Sequence, residues 1–148
     1  QARLLLTMAA EFSSPKEFRT VMDRVFSMMS EDPDMGPKLR DADVPQRFEF
    51  TDVDLVVNIR AAKEGEDGNL HWEWSDDVDW EPKVKMAMSS ETANRYFQGK
   101  ENVAMALARR RIKSGGDVKA ALSLIPITKP IYDRYRQLVE DEYPHLAV

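Results

Sequence analysis

The chain has 148 residues, no cysteine and a net charge of −5, which excludes a disulfide framework, a thiolate nucleophile and a Cys-based zinc site. Hydrophobic residues at 43% and charged residues at 32% suit one folded domain, 1–148, with an N-terminal helix over about 15–30 and a core over about 46–142. Missing thiols also fit a reducing, cytoplasmic location.

The opening run Leu4-Leu5-Leu6-Thr7-Met8-Ala9-Ala10 is far shorter than the ~20 residues of a membrane span. With Arg3 as its only positive flank and Gln1 ahead of it, it reads as a trimmed N-terminus rather than a signal segment. Ser14-Pro15-Lys16-Glu17 then forms a helix start, with Ser14 as cap and Pro15 where a missing N–H costs nothing. Phe18, Val21, Met22, Val25 and Met29 recur at helical spacing, and Arg19, Asp23 and Arg24 between them predict a polar face. The helix should end before Asp32-Pro33. Met35 to Pro45 reads as a proline-bearing connection.

Alternation of period two follows, the mark of antiparallel strands with one covered and one wet face. Phe48 and Phe50 open it, then Val53, Leu55, Val57, Ile59 and Ala61. After a turn-rich stretch from Lys63 to Asn69, Leu70, Trp72 and Trp74 alternate with His71, Glu73 and Ser75; Val84, Met86 and Met88 alternate with Lys83, Lys85 and Ser89. Ser89 or Ser90 caps a short helix closed by Gly99. Asn102 to Leu107 fits helix or loop, Arg109 to Ser114 reads as a fifth strand, and Asp117 caps a helix halted by Pro126. Thr128 should start the last helix, which Pro144 stops. This order predicts an α+β fold.

Charge is unevenly shared. Residues 31–79 hold 15 acids and 5 bases, whereas residues 81–136 hold 5 acids and 12 bases. A chain polarised this way can orient its basic half toward an anionic membrane surface.

Sites for chemistry are scarce. His71 and His145 stand in no metal-ligand spacing. Asp77, Asp79 and Glu81 alternate like a calcium loop but lack its glycine, and Met88 stands where the closing glutamate belongs. No nucleophile elbow, phosphate-binding loop or dinucleotide fingerprint occurs. The basic run Arg109 to Lys113 lacks aromatic residues for stacking bases, which argues against nucleic acid. No catalytic residue, metal or cofactor is therefore expected. The eight methionines fill a core or line an adaptable binding surface.

From Val84 to Lys100 the chain resembles the sterol carrier protein-2 family, with Met88-Ser89-Ser90-Glu91 leading into a helix that closes on Gly99-Lys100. Asn102 to Asp117 is similar to that family's basic strand and following turn. Leu122-Ser123-Leu124-Ile125-Pro126 and Lys129 to Tyr135 look like its helix, proline and helix ending. The resemblance implies a five-stranded, mostly antiparallel sheet covered on one face by helices, with an apolar tunnel between them for a sterol, fatty acid or acyl-CoA. It implies binding and transfer without catalysis; the alternative is a structural, interaction or dimerisation domain of the same fold. Inward positions give the expected lining: Leu55, Val57, Ile59, Trp72, Trp74, Val84, Met86 and Met88, with Phe97, Met105, Ile112, Leu122, Ile125, Ile131 and Tyr135 from the cover. The expected partner is a lipid, sterol or acyl-chain ligand, with membrane contact through the basic half, no nucleic acid, and oligomers left open. Two departures stand out. Arg110 occupies a position where many members have glycine, and His145-Leu146-Ala147-Val148 is no peroxisomal address.

Overall fold

The computed structural model describes residues 10–148; the apolar run from Leu4 to Ala9 lies outside them. Helix α1 (Pro15–Glu31) starts as its cap predicts: Ser14 Oγ accepts from Glu17 N at 3.0 Å. Glu17 reaches back one residue further than a capping box requires, accepting from Ser13 N at 3.0 Å. One stripe of α1, with Phe18, Val21, Met22, Val25, Phe26 and Met29, is buried. Each of these side chains contributes roughly 1.5–3 kcal/mol. The stripe packs on the sheet's third strand and on two other helices.

The expected connection after α1 is instead helix α2 (Met35–Ala42). Pro37 is tolerated because it falls in the first turn, where backbone N–H groups lack helical partners. Asp32 Oδ1 helps start this turn, accepting from Asp34 N at 2.9 Å and Met35 N at 2.8 Å. Asp43, with φ of +50°, ends the helix in a left-handed turn. Gly36 permits close approach of the loop at Asn69 and of the end of α1. A Cβ there would sit 2.5 Å from Asn69 Nδ2 and 2.6 Å from the Ser30 carbonyl oxygen. Gly36→Ala should therefore destabilise by about 1–3 kcal/mol in denaturant titration, although helix propensity alone predicts a gain of about 1 kcal/mol.

Strands β1 (Gln46–Phe50), β2 (Leu55–Ala61), β3 (Leu70–Glu73), β4 (Val84–Met88) and β5 (Lys113–Gly116) form one sheet in the order β3-β2-β1-β4-β5. Only the central pair, β1 with β4, is parallel. Val53 belongs to the β1–β2 turn rather than a strand, and Asp54 takes φ of +54° there. Phe48 and Phe50 sit opposite Met86 and Met88 across the parallel pair and opposite Val57 and Leu55 across the antiparallel one. These rows make the inner face.

The other face is not simply wet. The segment after β3 folds across it: Asn58, only 1% exposed, donates to the Ser75 carbonyl at 2.7 Å. Arg47 reaches Asp76 at 2.8 Å. Arg60 lies 4.8 Å beneath the Trp80 ring. Alternation shows which residues share a face, but not what lies over that face.

The cover consists of α3 (Ser90–Phe97), α4 (Val103–Ala108), α5 (Val118–Ser123), α6 (Ile125–Thr128) and α7 (Ile131–Glu142), followed by a 3-10 turn at Pro144–Leu146. The ambiguous segment at Asn102 is helical because Asn102 Oδ1 caps it, accepting from Met105 N at 3.0 Å. The expected strand from Arg109 starts late. Arg109 to Arg111 turn out of α4, with Arg110 at φ of +60°, and pairing begins at Lys113. Pro126 does not merely end a helix. It sits in the first turn of α6, and the last helix starts at Ile131 rather than Thr128. Among the described residues no helix is long and apolar enough to cross a membrane.

Candidate functional site: an apolar cavity between sheet and helices

Strand alternation sends Phe48, Phe50, Ile59, Met86 and Met88 toward the helical layer, and these residues floor a cavity of about 130 Å³. Phe26 and Met29 of α1, Leu39 of α2 and Val44 close one side. Tyr96 and Phe97 of α3, Val103 of α4, Ile112, Leu122 of α5 and Ile125 of α6 close the other. Three methionines in the wall can swing to enlarge the cavity, since a thioether chain changes rotamer at little cost.

Polar side chains in the wall are few: Gln46, Arg60, Tyr96 and Thr128. Thr128 donates back to the Leu124 and Ile125 carbonyls at 3.2 and 3.3 Å. Arg60 is the one charged residue that borders the wall, but its guanidinium lies on the other face of the sheet under Trp80, where both terminal nitrogens bond Glu66, at 2.7 and 2.9 Å. Those bonds hold the Glu66 carboxyl down at about 2, so the guanidinium charge is already matched. A dry wall of this kind solvates methylenes and rings, not an unpaired ionic group.

Of the residues expected from the sequence, Ile59, Met86, Met88, Phe97, Ile112, Leu122 and Ile125 lie in the cavity wall. The others lie elsewhere. Val57, Val84, Ile131 and Tyr135 are fully buried in the packed core, and Leu55 packs half-buried against it. Met105 points outward, 43% exposed, because α4 is short and turns only Ala106 fully inward. Trp72 and Trp74 sit under α1: their indole N–H groups donate to Asp23 Oδ1 at 3.0 and 2.6 Å. Asp23, read from the sequence as part of a polar face, is thus the acceptor that ties both rings to α1.

Sequence reasoning passed over Phe48 and Phe50, although the same alternation that selected Met86 applies to them. It also left out Phe26, Met29 and Leu39. Helical periodicity marks these as buried, but not as bordering a void.

Among the described residues no group of three or more His, Asp or Glu side chains is placed to hold a metal ion. His71 lies between Glu66 at 3.5 Å and Glu73 at 2.9 Å, and His145 contacts Glu17 at 2.8 Å. Tyr135, whose phenol burial pushes well above its ordinary range, donates to Asn94 Oδ1 at 2.7 Å and lies outside the cavity wall.

No protein-family model matches the chain, and no curated protein matches it significantly in sequence. Solved structures do match. The UbiJ-SCP2 ubiquinone synthesis protein superposes with a TM-score of 0.58 at 6% identity, over 82% of this chain and 95% of its own. The sterol carrier protein domain 2 of Helicoverpa armigera gives 0.53 at 16% identity, over 86% of this chain and 96% of its own. The apo form of sterol carrier protein 2 from Yarrowia lipolytica gives 0.51 at 13% identity, over 85% and 99%. A stereoselective inverting sec-alkylsulfatase from Pseudomonas sp. gives 0.56 at 16% identity, and there the match spans 69% of this chain but 15% of the enzyme. Identities this low speak for the backbone and not for the activity, and what they establish is that this chain has the SCP-2-like fold.

Proposed function

We propose that the chain is a single module that binds, and hands on, an apolar ligand (a sterol, fatty acid or acyl-CoA) in the cavity between sheet and helices, without covalent chemistry. The observation that carries this reading is an apolar wall around unfilled space in an SCP-2-like fold. Each buried methylene contributes about 0.8 kcal/mol, so a ligand needs no ionic anchor inside. A C16 chain exceeds the space of about 130 Å³. Its entry requires Met29, Met86 and Met88 to move aside, or part of the chain to stay outside. The absence of cysteine fits action in a reducing, cytoplasmic setting.

Met86→Trp places an indole in the cavity. Binding of a fluorescent fatty acid should fall at least about tenfold, with stability changed by less than about 1 kcal/mol because free space takes up the added volume. Native mass spectrometry of gently purified protein should find a co-bound lipid. Absence of saturable binding by the unaltered chain defeats the reading. So does a Met86→Trp variant that loses about 1–3 kcal/mol while binding as before, the result expected of a filled core. A second reading, a non-transporting interaction domain, is favoured by the sulfatase, where the matched part is a small fraction of a larger enzyme. That reading predicts no ligand binding.

A further inference from the structure

We propose that the exposed surface around α4, β5 and α5 docks on an anionic bilayer and sets the cavity mouth, at Leu122, against the lipid. This rests on the lipid-binding reading and adds to it the surface through which ligand enters and leaves.

From Lys100 to Lys129 the chain has seven cations and two acids. Both acids are engaged: Glu101 pairs with Arg111 at 3.0 Å, and Asp117 accepts from Ala120 N at 2.9 Å and faces Lys83 at 3.9 Å. Arg109, Arg110, Lys113, Lys119 and Lys129 are exposed and have no ion-pair partner among the described residues. Two large apolar side chains stand out among these cations, Met105 at 43% and Leu122 at 38% exposed. Leu122 also belongs to the cavity wall. Lys119 precedes it by three residues on α5, so both share one helix face. Apolar tips amid unpaired cations match the interface of an anionic bilayer, where headgroups meet the cations and acyl chains meet the tips.

Arg110 supplies the independent observation. It follows the C-cap of α4 at φ of +60°, the left-handed position that glycine fills at little cost. An arginine there holds backbone strain that no hydrogen bond or ion pair of its side chain offsets within the described residues. Strain kept in place points to a role for the group that causes it, and what this group offers is exposed positive charge.

The test is flotation with phosphatidylcholine vesicles, with and without phosphatidylserine, beside fluorescent fatty-acid binding in vesicle-free solution. The unaltered chain should float only with anionic vesicles and be released by about 0.5 M salt, where screening is nearly complete. Arg110→Gly should raise Tm by about 2–4 °C and weaken vesicle binding roughly fivefold, the contribution of one cation near such a surface. The double change Arg109→Glu and Lys113→Glu should abolish flotation and leave fatty-acid binding in solution unchanged, because neither side chain lines the cavity. Equal flotation with neutral vesicles, no flotation with anionic ones, or flotation that survives the double change each overturns the proposal. So does tighter binding to single-stranded RNA than to vesicles. For the unaltered chain, fatty-acid binding without flotation on anionic vesicles defeats this inference alone; flotation without fatty-acid binding defeats the cavity reading.

Discussion

Asn94→Ala should lower Tm by about 6–12 °C, equivalent to about 3 kcal/mol for a chain of this size. Asn94 is wholly buried and serves three partners. It donates to the Leu146 carbonyl at 2.9 Å, and its Oδ1 accepts from Tyr135 Oη at 2.7 Å and Gln98 Nε2 at 3.0 Å. Gln98 in turn donates to the Leu146 carbonyl at 2.7 Å and accepts from Val148 N at 3.2 Å. The network ties α3 to α7 and to the end of the chain. An alanine strands the hydroxyl of Tyr135, which is fully buried, and such a group costs more to leave unpaired than a typical bond contributes. Tyr135→Phe is the informative partner. It removes one donor while Gln98 still serves Asn94 Oδ1, so its loss should be about 1 kcal/mol. Differential scanning calorimetry on both variants decides the matter, and equal losses would show that packing rather than the stranded hydroxyl governs.

Asp23→Ala should cost about 2–3 kcal/mol and weaken ligand binding as well. One carboxylate oxygen holds the indole donors of Trp72 in β3 and of Trp74 just after it, and the rings they orient pack on α1, with Phe26 5.7 Å from Trp72 and Phe18 6.4 Å from Trp74 between ring centroids. Losing the acceptor frees two half-buried N–H groups and loosens α1, which contributes Phe26 and Met29 to the cavity wall. Tryptophan emission should shift to longer wavelength as the indoles meet water. Asp23→Asn keeps an acceptor oxygen and should retain most of the stability. If alanine and asparagine behave alike, the carboxylate's charge rather than its bonding is what α1 depends on.

Gly36 and Asp23 mark where sequence patterns stop being informative. A helical stripe and a period-two strand say which residues turn inward, and here they placed α1, four of the strands and the helical cover, since burial of apolar side chains is the main driving force of folding. The resemblance of Val84 to Asp117 supplied the arrangement of five strands. Turn details failed where one backbone conformation decides, as at Arg110 and at Asp54 between β1 and β2.

By itself the amino-acid sequence determined the α+β class, the inner face of the sheet and the absence of thiol chemistry, because period and composition are local properties of the chain. Only the tertiary structure decided which inward residues meet a void and which meet each other. Val57 and Met86 read alike in the strand pattern, yet one is sealed in the core and the other borders the cavity. A cavity is left where elements that meet at their edges do not fill the space between them, and α1 and α2 lie far in sequence from the α5 and α6 that complete its wall. Trp72 and Trp74 were lost to the site for the same reason: their acceptor sits on a helix about fifty residues earlier, and long-range pairing leaves no trace in local periodicity.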